Sequence, residues 1–324
     1  MNESYASHGQ GSMSAFGGVL ESVGNTPLVR LRKVVPRKSA KVFAKLEFSN
    51  PTGGMKDRVA KAMIEAAETN GRLRPGGTVV EYTGGTTGIS LALVCVVKGY
   101  ELKLVFSDAF SDDKRLAMKA FGAQVTDVKS DNKKFTESLF REMAETARQL
   151  SQQPGHWFCD QLNNHDGTAG YYPLGEEIWS QTGGKVDAFV QAVGTAHSIH
   201  GVTLALRKHK PDLCVAAVEP AESAVLSGGA SGSHYIEGIG IGYVPPLWNP
   251  KLVNEIIQVS TQEAKAMARR LAREEALFVG TSSGANVVAA LRVAERLGPE
   301  ASVVTIMIDS GLRYLSTDLF GRND

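Results

Sequence analysis

Thr78-Val79-Val80-Glu81-Tyr82-Thr83-Gly84-Gly85-Thr86-Thr87-Gly88-Ile89 is the stretch on which the reading of this chain turns. Thr78 to Tyr82 is dense in β-branched and aromatic residues and predicts a strand. Glycines and threonines follow at once, and then an apolar run, Ile89 to Val97, that is too short for a membrane span and reads as a buried helix. Strand, glycine turn and helix in immediate succession are the repeating unit of a parallel sheet covered by helices on both faces. Further strands are predicted at Glu101 to Phe106, Gln124 to Val128, Ala188 to Ala192, Cys214 to Val218 and Val303 to Ile308. Helical spacing lies between them. Ile199, Val202 and Leu206 fall on one face of Ile199 to His209, and Ala264, Met267, Ala268 and Leu271 on one face of Thr261 to Glu275, whose start carries the capping-box pair Ser260 and Glu263. The fold class is therefore α/β.

Glycine supplies 34 of the 324 residues, more than the usual ~7%, and the excess clusters at strand ends. In open α/β sheets ligands bind there, so four loops become candidate sites. In Asn50 to Arg58, Gly53 and Gly54 allow close backbone approach and Lys56 opens a helix. A cation at a helix N-terminus is mildly unfavourable, and a desolvated amine there would be neutral and nucleophilic; the plain alternative is a solvated charge. In Glu81 to Gly88, backbone N–H groups and hydroxyls at a helix start suit a carboxylate or phosphate. The loop is no P-loop, because no lysine follows. Gly194-Thr195-Ala196-His197-Ser198 offers a second anion site and fails the dinucleotide pattern at Ala196. His197 and His200 have a spacing compatible with a metal but lack a third ligand nearby in sequence, so no metal is expected. Gly280 to Ala285 leads into an apolar helix.

With 35 basic and 34 acidic residues, a formal charge of +1 and 43% hydrophobic residues, the composition is that of an ordinary globular chain. It points to neither nucleic acid nor a membrane surface as a partner. Met1 to Ala15 lacks the basic start and apolar block of a signal peptide, and residues 1–22 are expected to form a flexible tail. Cys95, Cys159 and Cys214 show no metal or redox spacing; buried inert thiols in a reducing cytoplasm are the expectation.

The four loops, in this order, resemble the cysteine synthase and cystathionine β-synthase family of pyridoxal-phosphate enzymes, fold type II, which is tryptophan synthase β-like. The likeness runs from Val23 to Phe320. It includes Val23 to Leu31, Val218-Glu219-Pro220, Ser227-Gly228-Gly229, Gly238 to Pro245 and Ser310 to Thr317. The resemblance implies two domains, each a mostly parallel twisted sheet flanked by helices: a smaller one over residues 50–160, and a larger one over 23–49 plus 161–324. It also implies roles. Lys56 would form the Schiff base with pyridoxal 5'-phosphate and move the α-proton. Gly194, Thr195, Ala196, His197 and Ser198 would hold the phosphate, Ser282 would face the ring nitrogen, and Thr86 would lie by the ring oxygen. Thr83, Gly84, Gly85, Thr87 and Gln161 would grip the substrate carboxylate, with Gly238 in the wall beside it. A serine at the ring nitrogen does not hold that nitrogen protonated, which suits direct loss of a β-substituent.

The implied reaction is β-replacement on an O-activated serine by a sulfur nucleophile, through an aminoacrylate, to give cysteine. Cystathionine formation, cysteine desulfhydration, and a non-catalytic regulatory relative remain open as alternatives. Expected partners are an amino-acid substrate, a sulfur donor and a second copy in a homodimer.

Six positions depart from the family's usual residues. Gly84 and Thr86 stand where the carboxylate loop has serine and asparagine, Ala196 and His197 where the phosphate loop has two glycines, Gly54 where a serine is usual, and Leu312 where a glutamate is. From these we expect vacant space at Gly84 for a larger substrate. We expect a turn at Ala196 that is not left-handed, a phosphate site at the helix beginning near Ser198, and a His197 ring that faces solvent.

Overall fold

The computed structural model describes residues 15–132 and 136–321; most of the expected tail, residues 1–14, lies outside them. In chain order the elements are β1 (Leu28–Arg30), β2 (Lys41–Leu46), α1 (Lys56–Thr69), β3 (Thr78–Tyr82), α2 (Thr86–Lys98), β4 (Glu101–Ser107), α3 (Asp112–Ala120), β5 (Gln124–Val128), α4 (Glu137–Leu150) and β6 (His156–Phe158). There follow α5 (Asp166–Ala169), α6 (Tyr172–Gln181), β7 (Ala188–Ala192), α7 (His197–His209), β8 (Cys214–Pro220), β9 (Glu255–Val259), α8 (Thr261–Glu274), α9 (Thr281–Leu297) and β10 (Ser302–Met307).

They build two sheets. One is four-stranded in the order β5-β4-β3-β6, parallel throughout; the other is six-stranded in the order β1-β2-β10-β7-β8-β9, parallel except for the β1–β2 pair. Helix cover explains the sequence of the central strands. β3, β7 and β10 are buried at every position, so they lack the in-and-out burial alternation of a one-sided strand. The capping box is formed: Ser260 Oγ accepts from Glu263 N, and Glu263 Oε2 accepts from Ser260 N at 2.9 Å. The apolar run in α2 is buried from Ile89 to Cys95 and ends in exposed Val96 and Val97.

Three devices aim the loops. Asn286 on α9 bonds Ala192 N, Gln191 Oε1 and Ile306 O, tying β7, β10 and α9 together beneath the Gly194 turn. Gly54 and Asp309 form a β-bridge, with Met55 N donating to Ile308 O at 2.9 Å, so the loop before Lys56 is stitched to the end of β10. Arg58, one turn into α1, makes paired bonds to Glu47 and Glu177, and Lys45 pairs with Glu177 at 2.7 Å. This buried ionic network clamps α1 to the larger sheet. It is satisfied on every side, as buried charge has to be.

Candidate active site

The four loops meet at one cleft. Its front compartment, an open space of about 750 Å³ with its mouth included, is lined by Lys56, the Thr83 to Thr87 turn, Gln161, Gly194, Thr195 and Gly238. That volume is in the range of small-molecule sites. A rear compartment of about 410 Å³ is lined by Lys56, Thr86, Gly194, Thr195, Ser198, Gly238 and Ser282. Lys56 belongs to both and stands at their junction. Burial pushes its amine down from 10.5 to about 8, against the opposing attraction of Glu81; desolvation penalises the charged form. A neutral, nucleophilic fraction is therefore present near neutral pH.

The front wall is a turn folded on itself. Thr83 Oγ1 accepts from Gly85 N at 2.9 Å and Gly88 N at 3.2 Å, leaving its own proton to donate outward. Thr86 and Thr87 open α2, where first-turn N–H groups lack partners within the helix. Gly85 has φ +116°, and a Cβ there would strike the Lys114 side chain at 2.5 Å, so no other residue fits. Gln161 is locked: its Oε1 accepts from Thr87 Oγ1 at 2.7 Å, its Nε2 donates to Tyr82 O at 3.1 Å, and its backbone N–H donates to Glu81. Burial raises the Glu81 carboxyl to about 8.

The rear wall turns on Ala196, which has φ +71°. This corrects the sequence expectation. A left-handed turn at an L-residue is strained, yet α7 starts at the next residue, His197, and the strain is borne by a segment held from both sides. His197 is also not solvent-facing. It is 1% exposed, with Nδ1 3.1 Å from Thr195 Oγ1 and Nε2 2.9 Å from Asn164 O. His200 is turned elsewhere, accepting from Asn249 N and stacking on Trp248. Ser198 Oγ accepts from Gln191 Nε2 at 3.1 Å, which leaves its proton free. Gly194 faces Gly238 O so closely that a Cβ would lie 2.4 Å from it. Ser282 is buried in the first turn of α9. Thr86 Oγ1 reaches Asp309 Oδ2 at 3.5 Å.

The space expected at Gly84 is filled. A Cβ there would meet Phe110 Cε1 at 2.9 Å, and Phe110 reaches this position from the loop after β4. Composition and spacing did not reveal Phe110, or the Lys114–Glu237 pair on the same wall, whose Nζ–Oε2 distance is 2.5 Å. Glu237 could have been suspected only as the neighbour of Gly238.

A family model described as "Pyridoxal-phosphate dependent enzyme" matches residues 19–309. The chain belongs to this family. It is 39% identical over 313 residues to a cysteine synthase from Staphylococcus aureus, covering 94% of this chain and 97% of that one. A solved cysteine synthase from Entamoeba histolytica is 36% identical with a TM-score of 0.89, covering 99% of this chain and 95% of that one. An O-acetylserine dependent cystathionine β-synthase from Helicobacter pylori is 31% identical with a TM-score of 0.89, covering 95% of this chain and all of that one, 100%. The fold-type-II architecture expected from the loops is thus the observed one, and pyridoxal phosphate is the cofactor. The residues present suit it: a lysine amine pushed down to about 8, a rear compartment lined by the first turns of α7 and α9, and the Ser198 hydroxyl there, which accepts from Gln191 and keeps its own proton to donate.

Proposed function

We propose that the chain catalyses β-replacement on an O-activated serine, O-acetylserine or O-phosphoserine, with a sulfur nucleophile, to form cysteine. The observation that carries this reading is the position of Lys56 at the junction of two compartments, one lined by the Thr83 to Thr87 turn and the other by the first turns of α7 and α9. Bound in the rear compartment, pyridoxal phosphate supplies an aldehyde that condenses with amines and a conjugated ring that takes up electron density from the α-carbon.

The rest falls to the chain's own groups. Ser198 would donate to the phosphate, joined by the first-turn N–H groups of α7, whose dipole favours an anion. Gly194, Thr195, Ala196 and His197 form that turn. Ser282 would meet the ring nitrogen with a neutral hydroxyl, and Thr86 would lie beside the ring oxygen. The Thr83 hydroxyl, the turn Gly84-Gly85 and the Gln161 amide would orient the substrate carboxylate, with the Thr87 hydroxyl holding Gln161 Oε1 in place and Gly238 opposite. Lys56, neutral in part at pH 7, removes the α-proton at Nζ and returns it after the nucleophile has added.

A second reading is favoured by the Lys114–Glu237 pair in the front wall. Sulfide needs no charged recognition, whereas an ammonium and a carboxylate side by side match the two ends of an amino-acid thiol. Cystathionine formation from homocysteine is the corresponding reaction. We further propose a cytoplasmic homodimer. Exposed Val96 and Val97 at the end of α2 and exposed Val19 beside that helix offer apolar surface for it; light scattering tests it. No helix among the described residues is long and apolar enough to cross a membrane.

The deciding experiment is a panel of O-acetylserine, O-phosphoserine, serine and cysteine against sulfide, thiosulfate and homocysteine. Cysteine formed fastest from an O-activated serine and an inorganic sulfur donor supports the first reading. Cystathionine as the dominant product replaces it with the second. Borohydride reduction followed by peptide mapping should place the cofactor on Lys56, and label on another lysine would remove the assignment.

A further inference from the structure

We propose that His197 is a positioning residue which, through the Thr195 hydroxyl, keeps the lone pair of the neutral Lys56 amine free for reaction. The proposal rests on the role given to Lys56 above, and three hydrogen bonds in series carry it. His197 Nε2 lies 2.9 Å from the main-chain oxygen of Asn164. A carbonyl oxygen only accepts, so Nε2 bears the ring proton. The ring is buried and neutral, with its pKa pushed down to about 3 by burial and by the Lys56 charge, so Nδ1 is a bare acceptor. It lies 3.1 Å from Thr195 Oγ1. The one proton available between those two atoms belongs to the hydroxyl, and Thr195 donates it to His197.

Toward Lys56 Nζ, 3.4 Å away, Thr195 therefore presents lone pairs alone. The amine donates an N–H to Thr195, and its own lone pair is left to face the cleft whose two compartments Lys56 lines. With a free hydroxyl at Thr195 the result would reverse: the hydroxyl would rotate, donate to the neutral amine, and cap the electron pair the chemistry needs. His197 cannot swing away. A Cβ on Gly167 would lie 2.9 Å from its Cε1, so the ring is wedged between α5 and its own helix, behind the left-handed turn at Ala196. This explains why a bulky ring stands where the related loop has a glycine. The titratable groups around the relay are Glu81 facing Lys56 from β3, and His165 and His200 facing His197.

The test uses the full chain free of cofactor. Lys56 is labelled with trace acetic anhydride from about pH 7 to about pH 11, against an added peptide standard, and quantified by mass spectrometry. The high-pH plateau reads the intrinsic nucleophilicity of the neutral amine, and the midpoint reads its pKa. Two variants divide the His197 ring between them. His197→Asn keeps an acceptor at the place of Nδ1, and His197→Gln keeps a donor at the place of Nε2. We expect the Asn variant to hold the wild-type plateau. The Gln variant should lose about two- to ten-fold in plateau, the range spanned by one neutral hydrogen bond, with its midpoint moved down. Thr195→Val in the Gln background removes the capping hydroxyl and should restore the plateau to that of Thr195→Val alone.

A merely structural role predicts another pattern, because a loosened pocket admits water, moves the midpoint up toward that of an exposed lysine and raises the plateau. Equal plateaus for wild type and His197→Gln, or a double variant as slow as His197→Gln, would overturn the proposal. The readout needs neither cofactor nor turnover. Failure of the protein to bind pyridoxal phosphate would remove the functional reading, whereas the labelling pattern alone decides this one.

Discussion

Replacing Gly84 by serine, the residue related loops usually carry, should harm this chain. The hydroxyl would add a donor beside the substrate carboxylate, nominally worth about 1.5–3 kcal/mol. The Cβ that carries it would lie 2.9 Å from Phe110 Cε1 and 3.3 Å from Cδ1 and Cζ. Carbon atoms settle at ~3.5–4.0 Å, so the ring has to retreat by roughly 0.6–1 Å. Any such movement breaks its packing: Phe110 is 8% exposed, with ring centroids of Phe106 at 5.5 Å and Phe140 at 6.2 Å. Overpacking of this kind costs about 1–3 kcal/mol. The gain from a stiffer unfolded chain, about 0.4–1 kcal/mol, offsets part of it, because Gly84 does not sit at a left-handed φ. We expect Gly84→Ser to lose about 1–2 kcal/mol and about 1.5–3 °C in the melting temperature of the cofactor-free protein. It should not tighten the binding of O-acetylserine, followed through cofactor absorbance. Phe110→Leu relieves the contact, so the double variant should be more stable than the sum of the single changes by about 1 kcal/mol. A wild-type melting temperature for Gly84→Ser, or strict additivity in the double variant, would show that the ring moves aside freely and that Phe110 does not set the shape of this wall.

Further outcomes follow from neighbouring groups. Arg58→Met leaves Glu47 and Glu177 buried without their guanidinium and should cost about 3–5 kcal/mol in denaturant unfolding. Lys56→Met in the cofactor-free protein should be stabilising at low pH. The folded amine titrates near 8 and the unfolded one near 10.5, so below pH 8 both states are protonated and the native state carries the full burden of a buried charge; the advantage of methionine should fade as pH rises from 8 to 10.5, which melting curves at fixed pH values would reveal. Gln161→Leu removes the partner of Thr87 Oγ1 and Tyr82 O, and KM for the amino-acid substrate should rise by roughly 10–150-fold, the worth of one hydrogen bond to a charged group.

The loops were legible in the sequence because their signal is local. A strand flanked by partners on both sides is rich in β-branched and aromatic residues, and a backbone that turns straight from it into a helix leaves glycines and hydroxyls in adjacent positions, as in β3 and the turn at Thr83 to Thr87. Lys56 was legible for the same reason, a cation placed against the dipole of the helix it opens. What was not legible came from contacts distant in sequence. Phe110 lies 26 positions after Gly84, beyond β4, and nothing in the spacing says that its ring turns inward. His197 read as solvent-facing because a polar ring at a helix start ordinarily is. Its partner, the carbonyl of Asn164, is presented by a loop from the far side of α6 in the chain. The left-handed turn at Ala196 violates the rule used to exclude it, and such violations gather where a fold holds its chemistry.

The departures at Gly84 and His197 therefore have a common logic. At each, a residue differs from the related loop, and at each the volume it vacates or fills is matched by a partner elsewhere: Phe110 occupies what a serine would have used, and His197 spans from Thr195 to Asn164 where a glycine would have left a gap. A loop decaying after loss of function would show unmatched changes, namely cavities, unpartnered polar atoms or a displaced lysine. Here the His197 ring has both nitrogens bonded, the Gln161 amide has both ends engaged, and Lys56 remains at the junction of the two compartments with its amine held near neutrality. Matched substitutions around a retained lysine are what selection for a somewhat different substrate or sulfur donor leaves behind, and they weigh against a non-catalytic relative. The combination that would reverse this argument is a Lys56 amine that labels no faster than an exposed lysine at neutral pH, together with no turnover on any pair in the substrate panel.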